Sequence, residues 1–214
     1  MLLLHGMGAT GDVWRGYAGL APDLPGHGGA GWDPPYSFER HALAVAHLLT
    51  KPMPVVGHSM GGVIALALAA LKPDLVTKVV GVGIKVTWSE EDVARADAIA
   101  AKAPVVFATR DEAAERFLKV SGLSGLIDSP LERALVETTE GWMLAQDPAT
   151  FGVGVPDMRG LLDAVTCPVV LARGELDPFV TDAQLEALVP EHVTLPGLGH
   201  NAHVEDATAV LALL

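Results

Sequence analysis

The chain has 214 residues, half of them hydrophobic and 19% charged, with one cysteine, Cys167. That is the size of one domain, or one domain with a lid, and enough chain to bury roughly 70% of its unfolded surface. The composition excludes an intrinsically disordered chain, and a lone cysteine excludes a disulfide framework or a cysteine-based zinc site; a net charge of −12 without a basic cluster argues against nucleic acid.

Met1 runs straight into Leu2-Leu3-Leu4, which is too short for a signal-peptide apolar region and has no basic lead-in. The longest apolar run, Val63 to Leu71, has nine residues, against the roughly 20 that a bilayer span needs. The expectation is a cytoplasmic protein, monomer or homodimer, that acts on a small molecule and engages neither membrane nor nucleic acid.

Short apolar runs of strand length alternate with helical stretches, the pattern of a parallel sheet with crossover helices. Leu2–Leu4 reads as a strand stopped by His5-Gly6. Ser37 reads as an N-cap, followed by a helical stripe of Phe38, Ala42, Val45, Ala46 and Leu49 that runs up to Pro52. Pro54-Val55-Val56 is a buried strand feeding Gly57-His58-Ser59-Met60-Gly61. A helix apolar nearly all round follows to Leu71, then a strand at Val79–Val82. From 85 to 162 helical periodicity dominates, with helices opening at Ser89, at Asp111–Val120 and at Pro130–Met143. This segment reads as a helical lid inserted into a core formed by 1–84 and 163–214. Beyond it come a strand at Pro168–Ala172, a helix at Asp182–Leu188, a strand at His192–Leu195 and a closing helix from Val204 to Leu214.

Gly57-His58-Ser59-Met60-Gly61 fits G-x-S-x-G between a predicted strand and a predicted helix. Such a nucleophile elbow lifts the serine hydroxyl out at the carboxyl end of the sheet and aims a helix N-terminus at the reacting oxygen. A serine needs a base to take its proton. Among eight histidines, His200 stands in the loop after the last strand, at the same sheet edge; His203 is the alternative, more simply read as packing or capping. The base needs a carboxylate to hold its tautomer. Asp177 in Gly174-Glu175-Leu176-Asp177-Pro178 fits best, with Glu175 as its competitor. The oxyanion donors would be the backbone N–H groups of Met60 and Met7.

His5-Gly6-Met7-Gly8, Asp23-Leu24-Pro25-Gly26-His27-Gly28, Gly57-His58-Ser59-Met60-Gly61-Gly62, Gly174-Glu175-Leu176-Asp177 and Gly199-His200 with Glu205 together resemble the α/β-hydrolase superfamily, in its lid-bearing serine esterase and lactonase branch. The resemblance spans residues 2 to 206 and keeps the order serine, acid, histidine. It implies an α/β fold with a mostly parallel sheet of about six strands, helices on both faces and an inserted lid. Serine rather than aspartate at position 59 departs from the dehalogenase and epoxide hydrolase branches. The stretch before His5 lacks two strands that relatives carry, either pared away or missing from a fragment. Only 16 residues separate Gly6 from Asp23, where relatives hold a full helix and a strand.

The chemistry expected is hydrolysis of a carboxylic ester or lactone of a small to medium, partly apolar substrate through an acyl-enzyme. The alternatives are a carbon–carbon bond hydrolase acting on a diketone-like substrate and a ligand receptor that retains the fold. No metal-ligand spacing or dinucleotide fingerprint occurs, so neither cofactor nor metal is implied. His5, Trp88, Trp142 and Met143 are candidates to line the substrate pocket.

Overall fold

The computed structural model describes residues 1–128, 131–189 and 191–214. Its main sheet has five strands, Leu2–Leu4 (β1), Met53–His58 (β2), Val76–Val82 (β3), Val169–Gly174 (β6) and Val193–Leu195 (β7), all parallel and laid side by side in that order. Five parallel strands among the described residues agree with the expected mostly parallel sheet of about six. A separate hairpin pairs Leu135–Thr138 (β4) with Gly141–Leu144 (β5). The helices are Phe38–Val45 (α1), Met60–Leu71 (α2), Glu90–Ala100 (α3), Arg110–Val120 (α4), Met158–Ala164 (α5), Asp182–Glu186 (α6), Ala202–Glu205 (α7) and Ala207–Leu211 (α8). No helix among the described residues is long and apolar enough to cross a membrane.

The central strands are near-continuous apolar runs because both their faces are covered. Alternation along each strand then divides the core in two. Leu2, Leu4, Val55, Val79 and Leu171 face α1, α2 and α6, whereas Leu3, Val56, Val80 and Ala172 face Trp14, Phe117, Ala202 and Val210. Helix α2 lies against β2, β3, α1 and α5, so its sequence has no polar stripe. Ile64, Leu66 and Leu68 are fully buried in it, each worth roughly 1.5–3 kcal/mol. It ends at Lys72-Pro73, where proline removes the next donor.

The shortened stretch before Asp23 supplies a 3-10 turn at Gly11–Trp14 and, at Leu20, a single parallel bridge onto β1. Leu3 N–H donates to Leu20 O at 2.8 Å, and Leu20 N–H to Met1 O at 3.0 Å.

Two expected helices are corrected. The segment read as a helix over 130–143 contains the β4–β5 hairpin; Pro130 itself falls outside the described residues. Thr138 closes the turn by donating to Gly141 O at 3.0 Å and accepting from Glu140 N–H at 3.2 Å. Gly141 sits at φ 142°, and a Cβ there would run into the Phe107 carbonyl. The closing helix over 204–214 is two short ones, α7 and α8. Asp206 breaks it at φ −148°, ψ 94°, and its carboxylate instead accepts the Thr208 and Ala209 N–H groups as the cap of α8. The other caps lie where the sequence puts them: Ser37 accepts from Arg40 N–H, and Ser89 forms a capping box with Asp92.

Candidate active site

The carboxyl ends of β1, β2, β3, β6 and β7 open onto one edge, and each delivers a loop to it. Parallel sheets of this kind bind ligands in the crevice outside those ends. Strand β2 passes through Gly57-His58 into Ser59, which begins α2 at φ 50°, ψ −117°. It is the one non-glycine residue with positive φ among those described. The turn closes only because a Cβ on Gly57 would strike the backbone of Gly61, and one on Gly61 would strike the carbonyl of Leu4. Ser59 N–H donates to Val82 O at 2.8 Å, fastening the turn to β3.

Asp177 follows β6 and His200 follows β7. Their loops are stitched together by Glu175 N–H to Leu195 O at 2.9 Å and Leu176 N–H to Leu198 O at 2.8 Å. His200 Nδ1–H donates to Asp177 Oδ2 at 3.0 Å, and the acid's side chain is completely buried. Its other oxygen accepts Phe179 N–H at 2.9 Å. Glu175, the competitor, is instead engaged by Gly197 N–H at 2.8 Å. Because a carboxylate only accepts, this contact places the His200 proton on Nδ1 and leaves Nε2 as the acceptor.

Ser59 and His200 line one cavity of about 350 Å³, and Met7 and Met60 line it with them. As the first residue of α2, Met60 has an N–H without an intrahelical partner. Neither it nor the Met7 N–H has a hydrogen-bond partner among the described residues.

Trp88 lines this cavity, and its indole N–H donates to Lys85 O at 3.2 Å. His5, Trp142 and Met143 stand outside the lining. Trp142 and Met143 belong to β5, where Trp142 exchanges two backbone bonds with Phe107. His5 is fully buried: its Nε2 accepts from Leu24 N–H at 2.9 Å and its Nδ1–H donates to Gly6 O at 2.9 Å. It therefore ties the loop after β1 to residue 24, and burial lowers its pKa to about 4. His27 does similar work, accepting Gly8 N–H at 3.2 Å.

His58 also lines the cavity, but its ring is engaged elsewhere. Its Nε2–H donates to the His200 carbonyl at 2.9 Å, and burial pushes its pKa well below the ordinary value. Its ring stacks on His203 at 4.2 Å, and His203 in turn lies 4.5 Å from Trp14. His203 is thus a packing residue, with burial lowering its pKa to about 3.

Sequence reasoning missed several lining residues, among them Phe38, Ile84, Phe151 and Phe179. Phe179 sets its ring edge against His200 at 4.7 Å. Its place two residues past Asp177 is a signal that could have found it. Phe151 carries no comparable signal.

Residues 1–213 match the Alpha/beta hydrolase family. The chain is 28% identical over 247 residues to Esterase Rv0045c of Mycobacterium tuberculosis, covering 100% of this chain and 80% of that one. It is 31% identical over 189 residues to a pimeloyl-[acyl-carrier protein] methyl ester esterase of Neisseria meningitidis serogroup A, covering 82% of this chain but 61% of that enzyme. The solved structure of E-2-(acetamidomethylene)succinate hydrolase has the same fold, with a TM-score of 0.81 at 22% identity over 100% of this chain and 89% of that one. With its matched span covering nearly every residue and its parallel sheet delivering these loops to one edge, the chain belongs to the alpha/beta hydrolase family.

Proposed function

We propose that this protein is a serine hydrolase that cleaves a carboxylic ester or lactone by way of an acyl-enzyme. Ser59 attacks the carbonyl, and His200 Nε2 takes the serine proton and returns it to the leaving alcohol. Asp177 holds the His200 tautomer and balances the imidazolium. The Met7 and Met60 N–H groups receive the oxyanion, and water activated by His200 then releases the acid.

The observation that carries this reading is the buried Asp177–His200 contact opening onto the same cavity as Ser59. The relatives support ester hydrolysis, since two of them are named as esterases. Segment 85–162 is proposed as the cap over the site: the loop before α3 contributes Trp88 to the cavity, and α3, α4 and the 3-10 turn at Pro148–Val153 contribute Ile99, Val120 and Phe151. A lining this apolar suits an acyl group of small to medium size.

The test is labelling by a fluorophosphonate together with turnover of short p-nitrophenyl esters and simple lactones. The parent protein should be labelled at Ser59, and Ser59→Ala should lose both labelling and about 10³-fold or more of the turnover. Near-parent turnover in Ser59→Ala would remove the serine from the mechanism. Folded protein that neither labels nor turns over any ester, but binds ligands, would favour a receptor.

A further inference from the structure

A second cavity, of about 280 Å³, adjoins the one above Ser59. Ile99, Val120 and Phe151 line both and so form a common wall. The charge on these linings runs against that of the whole chain. Lys85, Arg95 and Lys119 line the first cavity, and Lys102 and Arg116 line the second. These are five of 14 basic residues, whereas Asp92 is the single lining member among 26 acidic ones.

Asp92 is paired with Lys85 at 2.7 Å, and Arg95 with Glu91 at 2.8 Å. Lys102, Arg116 and Lys119 have no ion pair within 4.0 Å among the described residues. Helical spacing puts Arg116 on the side of the common wall, and Lys102 lines the same cavity from just past the end of α3. Lys102 comes three residues after Ile99, and Arg116 four residues before Val120 on α4. No acidic residue lines this second cavity among the described residues. Unpaired like charges around a concave site raise a local positive potential, which favours an anion there.

We infer that the second cavity receives an anionic group, a carboxylate or a phosphate monoester, at the far end of the substrate. The ester then faces Ser59, the apolar chain between them lies against Ile99, Val120 and Phe151, and Lys102 and Arg116 hold the charged end. The inference rests on the reading of Ser59 as the nucleophile and adds the substrate class to it.

The experiment measures kcat/KM of the full chain on two matched sets. One compares monomethyl esters of straight-chain dicarboxylic acids with methyl esters of monocarboxylic acids of equal length. The other compares acyl thioesters of phosphopantetheine with those of pantetheine. The anionic member of at least one set should be preferred by about five- to tenfold, chiefly through KM, and the preference should shrink with added salt because the cations are exposed. In the double variant Lys102→Gln/Arg116→Gln the ratio should collapse toward one. Preference in the first set identifies a carboxylate, and in the second a phosphate. A ratio near one in the parent, or a parent-like ratio in the double variant, overturns the inference.

If no ester or thioester in either set is cleaved, the nucleophile assignment fails separately. Calorimetric binding of adipic acid monoamide against hexanamide then decides the anion site. Tighter binding of the acid sustains the site, and equal binding overturns it.

Discussion

At Ser59 the backbone, more than the hydroxyl, sets the residue apart. A serine at φ 50° costs about 1–3 kcal/mol of local strain, held by the bond to Val82 and by the absence of Cβ atoms on Gly57 and Gly61. The strain lifts the side chain into the cavity, so the pattern of glycines and the turn that presents the proposed nucleophile are readable together in five consecutive letters. The candidate acid Asp177 is picked out for a related reason: it follows a strand end, as His200 does, and the two side chains meet. The reading predicts that Asp177→Asn lowers kcat by about 10³–10⁴-fold, because the amide can donate to Nδ1 and favour the wrong tautomer. Steady-state turnover of a p-nitrophenyl ester, with circular dichroism to check the fold, measures this; an unchanged kcat would release Asp177 from the role. His5 shows the limit of local reading. A histidine among glycines beside a strand end resembles a pocket residue, and only its complete burial and its bond to Leu24 N–H reveal a tie between two loops.

At the scale of elements, the hairpin of β4 and β5 marks where periodicity failed. Leu135, Val136, Trp142 and Met143 recur at i, i+1, i+7 and i+8 and so mimic a helical stripe, while each adjacent pair is equally a short apolar run of strand length. Gly141 decides it, since the turn needs φ 142° and room for the Phe107 carbonyl, a requirement set by a segment more than thirty residues earlier. Gly141→Val should therefore destabilise the protein by about 2 kcal/mol or more, read as a lower urea midpoint. An unmoved midpoint would mean that the hairpin contributes little to the cooperative unit. The start of α3 is legible at Ser89 because a capping serine followed by an acidic first turn is a purely local device, whereas the Thr109–Glu112 capping box that starts α4 went unread. The Asp206 break was not legible, because the same residue could sit inside a helix or cap the next one.

Across the whole molecule, the buried histidines give a pH dependence with a definite sign. The ordinary value of 6.5 falls to about 4 at His5 and about 3 at His203, in both cases chiefly through burial. The folded protein then binds fewer protons than the unfolded chain below pH 6.5. Stability is complete above that pH and declines toward pH 4 for His5 and pH 3 for His203. Each group contributes about 1.4 kcal/mol per pH unit inside its window. Urea midpoints should drop clearly between pH 7 and pH 5; equal midpoints would show that these rings are not buried neutral. What the sequence by itself determined was the alternation of strands and helices, the tight turn at Ser59 and the order of the candidate serine, acid and histidine along the chain. Each of these is encoded by local spacing and by residues whose backbone demands are their own. Tertiary structure alone decided which histidines are buried, that Asp177 rather than Glu175 meets His200, and which apolar and cationic side chains from α3, α4 and the 3-10 turn line the adjoining cavities. Those outcomes depend on residues far apart in the chain packing at one sheet edge, and no local pattern carries the position of the other partner.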